Sequence, residues 1–106
     1  MLSPEDEDVA RELRGRLLAF VKVEEFWVYG SRARGDATDD SDFDVYLVVD
    51  NLTRTLRQRI DEVVWEVGFE RDRVIAAIVV TREQIERGPF GANPLLRVIE
   101  REGIQV

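Results

Sequence analysis

The sequence of 106 residues contains no cysteine and no histidine. The lack of cysteine excludes disulfides, thiolate nucleophiles and cysteine-based zinc sites, and the lack of histidine removes the usual general base and transition-metal ligand. No apolar run approaches the ~20 residues that a membrane crossing needs, and the acidic N-terminal segment lacks the features of a secretion signal. Any chemistry must therefore use carboxylates, arginine, hydroxyl groups, the one lysine or a hard metal ion, and we expect a cytoplasmic protein.

The balance of charge is acidic, with 15 basic and 22 acidic residues and a net charge of −7. This balance argues against binding of duplex nucleic acid through a general basic surface. Hydrophobic residues make up 44% and charged residues 35% of the chain, which is typical of a globular protein. The length fits one domain, so we expect residues 1–106 to form a single domain.

Hydrophobic periodicity predicts alternating helices and strands. Apolar stripes at helical spacing follow Ser3-Pro4 and again run from Leu52 to Val67, and shorter helices are indicated after Thr81 and Asn93. Apolar and β-branched runs predict three strands at residues 26–29, 42–49 and 74–80. The sequence therefore predicts an α/β (α+β) fold, a small mixed β-sheet of three or so strands with helices mainly on one face.

The segment GSRARGDATDDSDFDVYLVVD, residues 30–50, carries five aspartates within nine residues. Gly30 and Gly35 have the spacing of a Walker phosphate loop, but Asp36 stands where that loop needs lysine and would repel phosphates. An EF-hand loop fails as well, because Val45 stands where the sharp turn needs glycine and Asn51 where a bidentate glutamate belongs. A metal–nucleotide site is the third interpretation and fits the segment better.

Asp42 and Asp44 carry the argument for a metal. Alternate residues of a strand point to the same face, so the two carboxylates project together from Cα atoms ~7 Å apart. Two acids this close repel each other, and a divalent cation such as Mg²⁺ or Mn²⁺ relieves that repulsion.

Residues before this pair supply the groups that a nucleotide needs. Gly30 lets a phosphate approach the backbone closely, and the Ser31 hydroxyl can donate to a phosphate oxygen. Arg32 and Arg34 can offset the charge of a triphosphate. We therefore expect Gly30, Ser31, Arg32 and Arg34 to bind the nucleotide phosphates.

The stretch VYGSRARGDATDDSDFDVYLVV resembles the core of the DNA polymerase β-like nucleotidyltransferase superfamily. It is most similar to the minimal nucleotidyltransferases (MNT), which are often paired with a HEPN-domain protein. The resemblance implies that Asp42 and Asp44 bind catalytic Mg²⁺ or Mn²⁺ and that Gly30 and Ser31 hold the outgoing phosphates. It also implies transfer of a nucleoside monophosphate, expected to be AMP from ATP, to an acceptor hydroxyl, which in toxin–antitoxin members is a tyrosine of the HEPN partner.

One departure from the family pattern leaves a second function open. Many relatives carry a third carboxylate on the next strand, whereas residues 74–80 contain no acid. Asp72 lies just before that strand and is the candidate third acid. The alternative is an antitoxin-like binding module, catalytically weak or inactive, that neutralises a HEPN partner by contact; either function is compatible with a homo- or hetero-oligomer.

Overall fold

A mixed four-stranded sheet forms the centre of the protein. The computed structural model describes residues 1–106, with the elements α1 (Pro4–Leu18), β1 (Val23–Tyr29), α2 (Ser31–Arg34), β2 (Phe43–Val49), α3 (Arg54–Glu70), β3 (Ile75–Thr81), α4 (Arg82–Arg87), a 3-10 turn (Pro89–Ala92), α5 (Pro94–Glu102) and β4 (Ile104–Gln105). The strand order in the sheet is β3-β2-β1-β4. The predicted small mixed sheet with α-helices is confirmed, and β4 is an addition that the sequence did not indicate.

The two long helices α1 and α3 share one face of the sheet. Alternate residues of β2 supply the centre of that interface, and all four are fully buried: Phe43, Val45, Leu47 and Val49. Both helices begin at a capping side chain, because the Ser3 hydroxyl accepts from the Asp6 amide and the Thr53 hydroxyl from the Leu56 amide. No helix combines the length and the apolar character that a membrane crossing requires.

The opposite face of the sheet is partly covered by the short C-terminal elements. Tyr46 and Val48 of β2 are buried there with Ile99 of α5. Phe90, in the 3-10 turn, stacks on Tyr46 with ring centroids 6.1 Å apart. This cover lies over the middle of β2, whereas Asp44 nearer the start of the strand is only half-buried.

The pairing of β2 with its two neighbours brings separate parts of the chain together. β1 runs antiparallel to β2 and pairs Tyr29 with Asp44, so the residue before Gly30 lies beside the carboxylate. β3 runs parallel to β2 and pairs Ala76 with Asp44. The end of β1 and the starts of β2 and β3 therefore meet at one edge of the sheet.

Candidate active site

Gly30 makes a sharp bend where β1 passes into α2. Its backbone angles, φ 75° and ψ −154°, lie in a region that is open almost only to glycine. A β-carbon at this position would overlap the side-chain carboxylate of Asp44. The bend and the carboxylate are thus in direct contact, and glycine is required both by the backbone angles and by this approach.

Asp42 and Asp44 form the acidic pair of the site. Asp44 is the second residue of β2, and Asp42 is exposed one residue before the strand begins. Burial, followed by the charge of Asp42, raises the pKa of the Asp44 carboxyl, and the charge of Arg34 lowers it in part. Two interacting carboxylates of this kind are stabilised by a bound cation.

Tyr29 also belongs to this edge, although the sequence analysis did not single it out. The strand register pairs Tyr29 with Asp44, and burial, followed by the charge of Asp44, raises the pKa of the Tyr29 phenol. Its position in an aromatic, β-branched run is equally typical of a strand residue that packs in a core. Only the antiparallel register with Asp44 reveals its proximity to the site.

Ser31 and Arg34 remain available to a ligand at the bend. Ser31 follows Gly30 as the first residue of α2 and is half-buried. Arg34 is largely exposed and forms ion pairs with Asp36 at 3.2 Å and with Glu102 at 3.3 Å. Exposed ion pairs contribute little to stability, so the guanidinium can exchange these partners for a phosphate at small cost.

Arg32, which the sequence predicts to bind phosphate, makes its contacts within the protein. Its side chain is only 7% exposed, lies 3.5 Å from a carboxylate oxygen of Asp6 and donates a 2.9 Å hydrogen bond to the backbone carbonyl of Ser41. Arg73 reaches the same oxygen of Asp6 at 3.0 Å. Arg32 therefore connects α1, α2 and the loop before Asp42, and its role in the protein alone is structural.

Asp72 is not brought to the acidic pair. It lies in the turn after α3 with a positive φ of 55° and lines a cavity together with Asp39 and Asp40. No group of three or more acidic side chains is arranged to hold a metal ion. The position beside Asp44 on β3 is occupied by Ala76, whose side chain lies on the same face of the sheet and is exposed.

The donor set of Asp42 and Asp44 fits Mg²⁺ or Mn²⁺ that arrives with a nucleotide. Mg²⁺ prefers oxygen ligands and is commonly held by one or two carboxylates together with substrate phosphates and waters. Burial, and then the charge of Asp42, raise the pKa of Asp44, so the ionised carboxylate is disfavoured when no cation is bound. A divalent cation would therefore be stabilised by this pair, with the remaining ligands supplied by the substrate.

Comparison with known proteins places this arrangement in a family. The family model described as "Nucleotidyltransferase domain" matches residues 10–106. No curated protein matches the sequence.

Solved structures show the same fold at low sequence identity. A chain of a toxin–antitoxin complex with AMP-PNP is 18% identical, with a TM-score of 0.61 over 89% of this chain and 69% of that one. A chain from the complex of a tri-AMPylated Shewanella oneidensis HEPN toxin with MNT antitoxin is 15% identical, with a TM-score of 0.56 over 94% and 70%. A putative nucleotidyltransferase from Sulfolobus solfataricus is 21% identical, with a TM-score of 0.52 over 92% and 76%. The sequence match over residues 10–106, together with the Gly-Ser bend against the acidic pair, shows that the chain belongs to the nucleotidyltransferase domain family.

Proposed function

We propose that the protein transfers AMP from ATP, with Mg²⁺, to a hydroxyl group on a HEPN-domain protein. The observation that carries the proposal is the contact between the Gly30 bend and the Asp44 carboxylate, with Asp42 beside it. Further support comes from the structural neighbours, of which one holds AMP-PNP and another contains a tri-AMPylated HEPN toxin. A site without histidine or cysteine suits this reaction, because nucleotidyl transfer depends mainly on positioning and charge stabilisation.

Each residue of the site has a defined part in the proposed reaction. Gly30 leaves the backbone open to the phosphates, Ser31 donates a hydrogen bond to a phosphate oxygen, and Arg34 offsets phosphate charge. Asp42 and Asp44 would hold the metal ion, which supplies neutralisation of the charge that builds up on the phosphates. The acceptor oxygen forms a bond to the α-phosphorus, the bond to pyrophosphate breaks, and the hydroxyl proton passes to solvent.

Incubation with α-labelled ATP, Mg²⁺ and a HEPN protein of the same organism tests the proposal. We expect label on the HEPN protein with the wild type and none with the Asp42→Asn/Asp44→Asn variant. The charge-matched control Glu83→Gln/Glu86→Gln changes two exposed acids of α4 and should label as the wild type does. Transfer that persists in the Asp42→Asn/Asp44→Asn variant would show that another site is responsible.

The second candidate function is neutralisation of a HEPN partner by contact alone. The observation that favours it is Ala76, which occupies the strand position beside Asp44 and leaves the pair without a third carboxylate. In this case the Asp42→Asn/Asp44→Asn variant should inhibit the partner as fully as the wild type does, and no label should transfer. Measuring inhibition and labelling in the same reaction separates the two functions.

A further inference from the structure

An exposed aromatic pair lies on the outer side of α3. Trp65 and Phe69 are 68% and 75% exposed, and their rings stack with centroids 5.3 Å apart and an interplanar angle of 11°. Val74, just before β3, is 69% exposed. The apolar residues that α3 packs against the sheet lie on its other side, so these three do not contribute to the core. Clustered large apolar groups on a surface usually mark a contact site.

The aromatic pair borders a cavity of about 650 Å³. The cavity lies between the C-terminal half of α3, the start of β3 and the loop before β2, and Val64, Gly68 and Ile75 contribute to its lining. A β-carbon at Gly68 would come within 2.7 Å of the Arg73 carbonyl, so glycine allows α3 to lie close to the following turn. The volume is within the ~300–1,000 Å³ range of small-molecule binding clefts, which is ample for one or two side chains of a docked segment.

Exposed acids surround this apolar surface. Three of them line the cavity itself, and two others lie one helical turn before Trp65 and Phe69 on α3. None of these acids takes part in an ion pair of the chain: Asp39, Asp40, Glu62, Glu66 and Asp72. Arg73 also lines the cavity, but its charge is paired with Asp6. The surface therefore combines an apolar centre with a rim in which negative charge predominates, the arrangement of a protein interface whose partner is basic.

The negative charge of the rim disfavours some binding partners and favours others. A second copy of this chain would bring the same acids against each other, and nucleic acid or an anionic membrane would be repelled. A protein segment with an apolar side chain flanked by lysine or arginine would satisfy both the cavity and the rim. The cavity lies on the α3 side of the sheet, whereas the Asp44 side chain projects from the opposite side, so a segment bound in the cavity contacts a surface separate from the acidic pair.

We propose that this surface, formed by Trp65, Phe69, Val74 and the acidic rim, docks a basic, apolar segment of the acceptor protein. The docking follows from the surface alone, whereas the identity of the segment as part of the acceptor rests on the proposed function. Docking here tethers the acceptor through the α3 side of the sheet and so supplies recognition that is separate from the acidic pair.

Two helical peptides of 14 residues test the docking without requiring catalysis. Both carry the same leucine and tryptophan positions, and their polar positions are lysine and arginine in one peptide and glutamate in the other. Calorimetric titration uses the Asp42→Asn/Asp44→Asn chain without nucleotide or metal, so loss of transfer activity cannot affect the result. We expect micromolar binding of the basic peptide and no binding of the acidic one. Equal binding of both peptides, or binding of neither, would overturn the proposal.

Paired variants separate this surface from general attraction to an acidic protein. In the same background, Trp65→Ala/Phe69→Ala should weaken binding of the basic peptide at least ~10-fold, as expected for aromatic contact residues. Leu18→Ala, at a site that is 44% exposed on α1, should leave it unchanged. Because all three side chains are exposed, melting temperatures should stay close to that of the parent chain. Equal losses in the aromatic and control variants would refute the assignment of this surface.

Charge variants and sedimentation test the choice of occupant. Asp39→Asn/Asp40→Asn should weaken binding and flatten its salt dependence, whereas Glu83→Gln/Glu86→Gln should not. Sedimentation equilibrium should show no self-association that depends on Trp65; a dimer that Trp65→Ala disperses would assign the surface to a second copy and overturn the proposal.

With an active wild type, Trp65→Ala/Phe69→Ala should raise KM for the protein acceptor and leave KM for ATP unchanged; an unchanged acceptor KM would overturn the link to the acceptor.

Discussion

Replacing Gly30 by alanine should damage both the stability and the nucleotide site of this protein. The backbone angles at Gly30 cost an L-residue about 1–3 kcal/mol. The new β-carbon would in addition overlap the Asp44 carboxylate, which would have to move. For a domain of this size 1 kcal/mol corresponds to a shift in melting temperature of about 4–8 °C, so the loss is easily measured.

Gly35 provides a matched control within the same loop. It also has a positive φ, 84°, but a β-carbon there meets no atom within 4 Å. Gly35→Ala should therefore cost only the backbone term of about 1–2 kcal/mol and leave the response to Mg²⁺ and ATP intact. The difference between the two variants in urea unfolding isolates the overlap with Asp44.

A double-mutant cycle measures how much of the cost of Gly30→Ala comes from the overlap with Asp44. Asp44→Ala removes the carboxylate that the new β-carbon meets, so Gly30→Ala should cost less in that background. We expect a coupling of about 0.5–3 kcal/mol between positions 30 and 44 and none between positions 35 and 44. If the costs of Gly30→Ala and Asp44→Ala simply add, or if Gly30→Ala still gains stability from Mg²⁺ and ATP as the wild type does, the bend does not form the site.

Three further predictions concern the charges near the bend. Because burial and the charge of Asp42 raise the pKa of Asp44 in the folded state, the folded protein loses stability as the pH rises through that pKa and the carboxyl ionises. In EDTA, Asp44→Asn should therefore be more stable than the wild type at pH 7. Urea unfolding should show that this difference disappears at lower pH. Arg32→Gln removes one of the two guanidinium groups that pair with buried Asp6, together with the hydrogen bond to the Ser41 carbonyl, and should cost about 1–3 kcal/mol, whereas Arg34→Gln on the surface should leave stability nearly unchanged. Similar effects of the two substitutions would argue against a structural role for Arg32. Ala76→Asp places a third carboxylate beside Asp44, on a strand ~4.8 Å from β2. Mn²⁺ should then raise the melting temperature of the variant more than that of the wild type. A smaller rise would contradict the pairing of Ala76 with Asp44.

The main elements of the fold could be predicted because their signals are local. The apolar run in residues 74–80 and the capping pair Thr81–Gln84 depend only on neighbouring residues, and the structure has a strand and a capped helix there. β4 was missed because its two residues, Ile104 and Gln105, are too few to show an alternating pattern. β1 begins at Val23 rather than Phe26, and the register shift between Val23 and Glu25 explains why its start does not alternate regularly.

Only the part of the site that lies along one strand could be predicted from the sequence. The shared face of Asp42 and Asp44 follows from a period of two, and their electrostatic interaction agrees with it. The role of Arg32 depends on Asp6, which lies 26 positions away on another helix, and no local pattern indicates that pairing. The same limit applies to Asp72, since a left-handed turn residue just before a strand can face either side of the sheet edge.

The ion pairs of Asp6 have a consequence for the motions of the chain. The first turn of a helix often opens in the native state, but release of this turn would leave the guanidinium groups of Arg32 and Arg73 close together without the carboxylate of Asp6 between them. Opening of this turn is therefore coupled to loosening of the segment that follows Gly30. By the same coupling, a substrate that orders the bend should also reduce opening of the first turn of α1.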